Sequence, residues 1–309
     1  MRTNNNPILS EQIVPGCTPV HKEQEQMNNS VTNVPEKGEI KKAVNQYCKE
    51  KGISKADFAL KSGISDATLS NLEAERWEKL SNPMLMRIWN FCNRNSVDNL
   101  FPSIDFVSTV KICEKARKYH FMVGLIADTG MGKTTAISAY SRRKNVFYVC
   151  YDKTMNPRQF FWALLRELAY PFESNLNEMI NRAADELNKL ENPLVIIDEA
   201  GKLNQTMILY LHVLRDKTAG NCGIILAGMP YFKDNMMKFA SKEKEGYAEF
   251  FRRINLWHTF VGLQPKEVEE ICRSNGIEDN IRIKELRRHK RFGDLMNEIY
   301  LEKVMKEEL

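Results

Sequence analysis

The chain has 309 residues, 43% hydrophobic and 28% charged, with a formal net charge of +5. This balance predicts a soluble globular protein of two folded units plus tails, and it permits a nucleic-acid partner without requiring one. The seven cysteines are scattered and form no CxxC pair, which excludes a zinc cluster or disulfide framework and suits a reducing, cytoplasmic setting. Arg2 has no apolar run behind it, and no stretch of about 18 uncharged apolar residues follows, so neither a signal peptide nor a membrane span is expected.

Residues 1–37 are rich in Asn, Gln, Pro and Glu and lack Phe, Trp and Tyr. Such a segment buries too little apolar area to offset its ordering entropy and reads as a disordered tail. Residues 38–94 read as short helices. Ile40, Val44, Tyr47 and Cys48 recur at helical spacing up to Gly52, and Ser54 to Asp57 has the form of a capping box. Gly63 supplies the turn before a helix starting at Asp66, with Leu69 and Leu72 on its core side, and Asn82-Pro83 starts a fourth helix. The stretch Asn93 to Asp105 reads as a linker.

Beyond it, strand and helix signals alternate, which predicts a parallel sheet covered on both faces. The expected strands are His120–Ala127, Val146–Tyr151, Pro193–Asp198, Cys222–Ala227 and Asn255–Gly262. The expected helices between them include Pro157–Tyr170, Leu176–Leu190, Gln205–Lys217 and Tyr231–Phe239. The core is placed at 95–262, with a charged, helical C-terminal part at 263–309.

Residues 127–134, Ala-Asp-Thr-Gly-Met-Gly-Lys-Thr, follow an apolar strand and precede a helix. This is the P-loop arrangement. Glycines let backbone N–H groups approach phosphates, and the helix N-terminus adds positive dipole. Asp128, Thr129, Gly130, Met131, Gly132, Lys133, Thr134 and Thr135 are the candidate nucleotide contacts, with Lys133 on the β- and γ-phosphates of ATP and Thr134 on Mg2+. Ala127 stands where the strict motif has its first glycine. About sixty residues on, Leu194 to Glu199 is a buried-strand run ending in two carboxylates. Asp198 is expected to hold Mg2+ through water, and Glu199 to polarise the attacking water.

Residues 54–73 have the helix, glycine turn, helix pattern of a DNA-reading unit, with Thr68, Ser70 and Asn71 placed to reach phosphates or base edges. The second helix carries no Lys or Arg, so Lys55, Lys61 and Arg76 are the nearest candidates for phosphate contacts. A small helical bundle for protein contacts fits the same pattern. The run Arg282 to Arg291 reads equally as a DNA or acidic-protein contact and as a solvated helix face.

With these elements in this order, the chain resembles the MuB-like transposition ATPases (the B protein of phage Mu and, more distantly, the IstB-type ATPases). The likeness runs from about 38 to 300. It rests on the helix-turn-helix, the linker helix with Thr109-Val110-Lys111, Gly130 to Thr134, Val195 to Ala200, Leu226-Ala227-Gly228 and Phe251 to Ile254. The resemblance implies an α/β fold, an AAA+ P-loop ATPase with a central parallel sheet. It is preceded by a small all-α helix-turn-helix domain and followed by a small C-terminal helical lid. It also implies ATP-dependent, sequence-tolerant filament assembly on double-stranded DNA and delivery of that DNA to a transposase. Arg252 or Arg253 then acts as an arginine finger on a neighbouring copy, and Lys153 and Arg158 lie where related ATPases contact DNA. Met229 and Met296 stand where the family has γ-phosphate sensors, which implies slow, assembly-dependent hydrolysis. A helicase loader and a nucleotide-sensing transcription regulator are the alternative readings.

Overall fold

The computed structural model describes residues 35–93 and 100–307, with side chains to 305. The expected tail therefore lies almost wholly outside the described residues, as does the middle of the expected linker. Among the described residues, no helix is long and apolar enough to cross a membrane.

Four helices come first: α1 (Lys37–Lys51), α2 (Lys55–Ser62), α3 (Asp66–Glu73) and α4 (Asn82–Asn93). Ser54 caps α2 in a reciprocal capping box with Asp57, and the Ser65 hydroxyl accepts the Thr68 N–H at 3.1 Å to cap α3. Apolar residues from all four helices, including Ile40, Phe58, Leu72 and Leu85, close one buried cluster. Tyr47, Phe58 and Phe91 meet in it with ring centroids 5.4–5.7 Å apart.

The rest is built on five parallel strands, β1 (Met122–Ile126), β2 (Val146–Cys150), β3 (Leu194–Asp198), β4 (Gly223–Gly228) and β5 (Leu256–Thr259). Their order is β2-β3-β4-β1-β5. All five residues of β3 are buried, because both faces of the sheet are covered. Leu194 and Ile196 pack under α5 (Ile104–Tyr119) and α6 (Lys133–Ser141). Val195 and Ile197 pack on the other face, against α7 (Pro157–Glu167), α8 (Leu176–Asn188), α9 (Gln205–Thr218), α10 (Pro230–Ser241) and α11 (Tyr247–Arg253). The doubly covered parallel sheet expected from the alternating pattern is the fold observed.

Two strand limits differ from expectation by more than one residue. His120 sits at φ 53° as the cap of α5, so β1 starts only at Met122. The outer strand β5 stops at Thr259: Phe260 N still reaches Ile126 O at 2.9 Å, but the two N–H groups after it find a different acceptor. Asp105, buried near the start of α5, accepts Val261 N at 2.9 Å and Gly262 N at 2.8 Å. Three helices follow, α12 (Pro265–Ser274), α13 (Asn280–Leu286) and α14 (Phe292–Glu307), around a small core of Leu263, Val268, Leu286, Leu295 and their neighbours. Glu267 ties this lid to the core, its two oxygens accepting Ile104 N at 2.6 Å and Gln264 N at 2.7 Å.

The N-terminal helices dock on the sheet domain through buried cations. Lys51 Nζ, at the end of α1, donates to the carbonyls of Ser141 and of Val146, the latter at 2.8 Å. Lys61 Nζ, on α2, reaches the Glu167 carbonyl and lies 3.6 Å from its carboxylate. In return, Arg142 pairs with Glu50 at 2.6 Å and donates to the Cys92 carbonyl at 2.9 Å. Lys55 is held by Glu73 and Asn45. The two lysines singled out for phosphate contact are thus committed within the chain, one of them buried.

Burial, with the nearby Lys61 charge, pushes the Lys51 amine down to about 7, and Glu167 only partly offsets this. A neutral amine still has two N–H donors for its two carbonyls, so the docked geometry suits the deprotonated form. The folded pKa lies below the unfolded one, so the unfolded chain binds the extra proton above pH 7 and stability rises with pH in that window. We expect wild-type melting temperature to rise from pH 7 to about pH 8.5, where thiols of the unfolded chain start to ionise. Lys51→Met should flatten that slope, measured by differential scanning calorimetry of the full chain.

Candidate nucleotide site

The loop between β1 and α6 carries the P-loop sequence. Gly130 and Gly132 adopt φ values of 80° and 85°, which L side chains rarely tolerate, and the second places the loop at the N-terminus of α6. Lys133 and Thr134 open that helix, Lys133 buried and Thr134 exposed.

Strand order brings the second element alongside. β4 lies between β1 and β3, so the C-terminal ends of all three strands meet at one sheet edge, where α/β proteins bind ligands. Asp198, at the end of β3, is 1% exposed and gathers four donors. Its Oδ1 accepts Lys133 Nζ at 2.7 Å and Glu199 N at 2.8 Å. Its Oδ2 accepts Thr134 Oγ1 at 2.8 Å and the Tyr148 hydroxyl at 3.0 Å. Burial pushes the Asp198 carboxyl up, but the Lys133 charge and these hydrogen bonds outweigh it and hold it below the usual carboxylate range. Tyr148 is pushed the other way, by burial and then by the Asp198 charge, so its hydroxyl keeps its proton and donates.

Tyr148 is the site residue that sequence reading missed. It sits on the edge strand β2, fifty residues from its partner, and only the pairing Val149↔Ile197 and Cys150↔Asp198 brings it to the carboxylate. The one available signal was a tyrosine in an otherwise apolar strand.

Glu199 takes the left-handed conformation at φ 57°, ψ 32°, an uncommon one for a non-glycine residue. Its carboxylate lies 3.3 Å from Lys202 Nζ, and the Glu199 partner holds the Lys202 ammonium above its ordinary value. Ala127, Asp128, Thr129, Gly130, Gly132, Lys133, Thr134, Thr135, Glu199 and Met229 line a cleft of about 250 Å³. Met229 therefore faces the cleft, its sulfur accepting from Thr129 Oγ1 at 3.7 Å. Met131 instead turns its side chain into the core beneath α5 and α6, which leaves its backbone as its contribution to the loop.

The lid touches the same loop. Gly293 N, at the start of α14, donates to Gly130 O at 2.7 Å. Arg291 reaches within 3.9 Å of Asp128, while Met296 is half-buried in the lid core. The paired arginines separate. Arg253 is bidentate to Asp216 at 2.8 and 3.0 Å, whereas Arg252 is exposed and makes no ion pair among the described residues. Neither lines the cleft.

The other expected contacts lie apart from it. On α3, Ser70 is exposed, Thr68 and Asn71 are half-buried, and the Thr68 hydroxyl is engaged with Ser65 at 2.9 Å. Lys153 is exposed in the β2–α7 loop, at the same sheet edge as the cleft, and Arg158 pairs with Glu173 at 3.3 Å across an exposed surface. The basic run is mostly spent internally. Arg282 binds Glu285, Glu298 and Glu302, Arg287 binds Glu269, and Arg288 and His289 bind Glu298. Only residues 282–286 of the run lie on a helix, α13, and the remainder form the connection to α14.

No curated protein matches the chain. Among solved structures, the Aeropyrum pernix ORC2 protein in ADPNP-ADP complexes aligns at 13% identity and TM-score 0.44, covering 58% of this chain and 54% of that one. The replication initiator DnaA, bound to AMPPCP and single-stranded DNA, aligns at 15% and 0.46 over 68% and 65%. The Thermotoga maritima RuvB branch migration motor aligns at 16% and 0.35 over 59% and 53%. The chain thus spans between half and two thirds of these proteins, and at such scores the fold is argued from its own strand order. Residues 117–236 match the family described as an AAA domain, and that stretch holds the P-loop, Asp198, Glu199 and Met229 on four of the five parallel strands.

Proposed function

We propose that this protein is an ATP-switched, DNA-binding assembly ATPase that presents target DNA to a transposase. The observation that carries the ATPase part is the meeting of Lys133, Thr134 and Tyr148 on the buried Asp198. A phosphate on the loop competes with Asp198 for Lys133, so nucleotide binding rearranges the centre of the site. The oxygen donors of Thr134 and Asp198 fit a hard divalent cation such as Mg2+, which would neutralise phosphate charge there. Glu199 is the base that orients the attacking water, and Lys202 shares its carboxylate until the site is engaged.

Arg252 is the better candidate for the finger, because Arg253 is held by Asp216 in its own chain. An exposed arginine outside its own cleft suits action on a neighbouring copy, which ties turnover to self-assembly. Duplex DNA is met mainly by the β2–α7 loop with Lys153 and Arg158, with Ser70 and Asn71 of α3 adding polar contacts. Since α3 carries Asp66 and Glu73 and no cation, binding is sequence-tolerant and electrostatic. The transposase partner follows from the order of helix-turn-helix, P-loop and lid in the MuB-like proteins.

Arg252→Ala should lower DNA-stimulated ATP turnover at least about a hundredfold and leave nucleotide affinity unchanged, while Arg253→Ala should act mainly on melting temperature. Fluorescence anisotropy on random duplex DNA should show ATP-dependent binding that Lys133→Ala abolishes and that falls steeply with salt. Binding confined to one sequence, or stimulation of a helicase in place of a transposase, would overturn the transposition reading. Tyr148→Phe should weaken Mg2+-dependent ATP binding about tenfold and leave binding in EDTA unaltered, as read with a fluorescent ATP analogue.

A further inference from the structure

Folding leaves the charge of one surface unbalanced, the outer face of α5. Lys111, Lys115 and Lys118 fall at i, i+4 and i+7 and so share one side of that helix. All three are exposed, and none is ion-paired among the described residues. Arg117 carries the patch onward, donating to Asn192 O at 3.0 Å and to Lys144 O at 3.2 Å. This sets the exposed Lys144 beside the last turn of α5, next to the exposed Arg143. Tyr119, 53% exposed, ends the row, with Lys118 Nζ 5.3 Å from its ring centroid.

Against these six cations stand two exposed carboxylates, Glu191 and Glu114, and Arg143 already takes the second. Helix polarity accounts for Arg117 and Lys118, which lie in the last turn. It does not reach Lys111 or Lys115. The run Arg282 to Arg291 shows what a neutralised set looks like, since Glu269, Glu298 and Glu302 fold against it. No such acids fold against Lys111, Lys115 and Lys118 among the described residues. Lysine is depleted from protein–protein interfaces, whereas a nucleic-acid backbone takes it readily. Between Lys111 and Lys118 the helix rises about 10.5 Å, the span of about three phosphates on one strand of duplex. That chemistry fits a row of phosphates.

We infer that the outer face of α5 is a second surface for duplex DNA, gripping the backbone without regard to sequence. The inference rests on the DNA-binding reading above and extends it. Arg117 meets Asn192 just before β3, so the row ends at the N-terminal edge of the sheet. Lys153 follows β2 at the opposite edge, the one that carries the nucleotide cleft. One chain thus offers phosphate contacts at both ends of its strands, and the two surfaces take different stretches of duplex. Three lysines are few for one chain to hold DNA alone, so the row adds to ATP-dependent binding and does not replace it.

The test uses the full-length protein with ATP and random duplex DNA. Lysine acetylation by an N-hydroxysuccinimide ester, read by peptide mass spectrometry, should slow at Lys111, Lys115 and Lys118 when DNA is added. Lys238, exposed on α10 over the other face of the sheet, should keep its rate. The triple variant Lys111→Gln, Lys115→Gln, Lys118→Gln should lower DNA affinity at least about tenfold at about 0.1 M salt. It should also reduce the slope of log affinity against log salt by about two to three, with ATP affinity unchanged. Lys111→Arg, Lys115→Arg, Lys118→Arg keeps the charge and should keep both the affinity and the slope. Acetylation undiminished by DNA, or a wild-type slope in the first triple variant, would overturn the inference. Protection by polyglutamate but not by DNA would assign the face to an acidic protein and overturn it as well. Failure of wild type to bind duplex at all would instead overturn the DNA-binding reading on which the inference rests.

Discussion

One buried carboxylate organises the edge of the sheet at which β1, β3 and β4 end. Asp198 is almost without solvent, and an ionised group there is tolerated only if charge and hydrogen bonds replace its water. Each partner comes from a different place. Lys133 and Thr134 belong to the helix after β1, Tyr148 to β2, and the Glu199 N–H to the turn leaving β3. The parallel sheet supplies the convergence, since strands running one way bring their exits to one edge. Of the four donors only Lys133 carries charge, and the other three hold the carboxylate by hydrogen bonds alone. On the proposed function, Lys133 is the one that a phosphate would draw away.

Around that centre, two appendages are held by different physics. The lid is attached by carboxylates accepting backbone N–H groups, Asp105 of α5 from Val261 and Gly262 after β5, and Glu267 of α12 from Ile104 at the start of α5. Such bonds fix geometry without placing charge against charge. The N-terminal helices are attached by cations donating to backbone carbonyls, and Lys51 does so from a buried position that disfavours its own charge. The second attachment disfavours its own charge at Lys51 and leaves a cavity beside it.

The parts of this arrangement legible in the sequence are the local ones. The P-loop, the β3 run and the capping box at Ser54 each need fewer than ten residues to specify, and each was found where it was expected. What stayed hidden depends on partners far along the chain. Lys61 reads as a surface cation until α7 brings Glu167 to it, 106 residues away. The run Arg282 to Arg291 reads as a basic patch until Glu269, Glu298 and Glu302 are folded against it. Arg252 and Arg253 cannot be told apart in sequence, and Asp216 on α9 separates them. Strand ends slipped for the same reason: nothing near Gly262 announces that Asp105 will take its N–H.

The C-terminal helices approach the P-loop through backbone and not through the side chain at Met296. Met296 packs within the lid core, so the α14 side chain that the family resemblance would aim at the γ-phosphate instead holds the lid together. Contact with the loop is made by backbone, Gly293 N on Gly130 O. A Cβ on Gly293 would come within 3.3 Å of Gly130, so a side chain there would press on the loop backbone. A backbone bond to the loop senses its shape, whereas a charged side chain would sense the phosphate directly. On the proposed function, nucleotide on the loop would reach the lid through the conformation of residues 128–132, where Arg291 and Asp294 are the lid charges beside it.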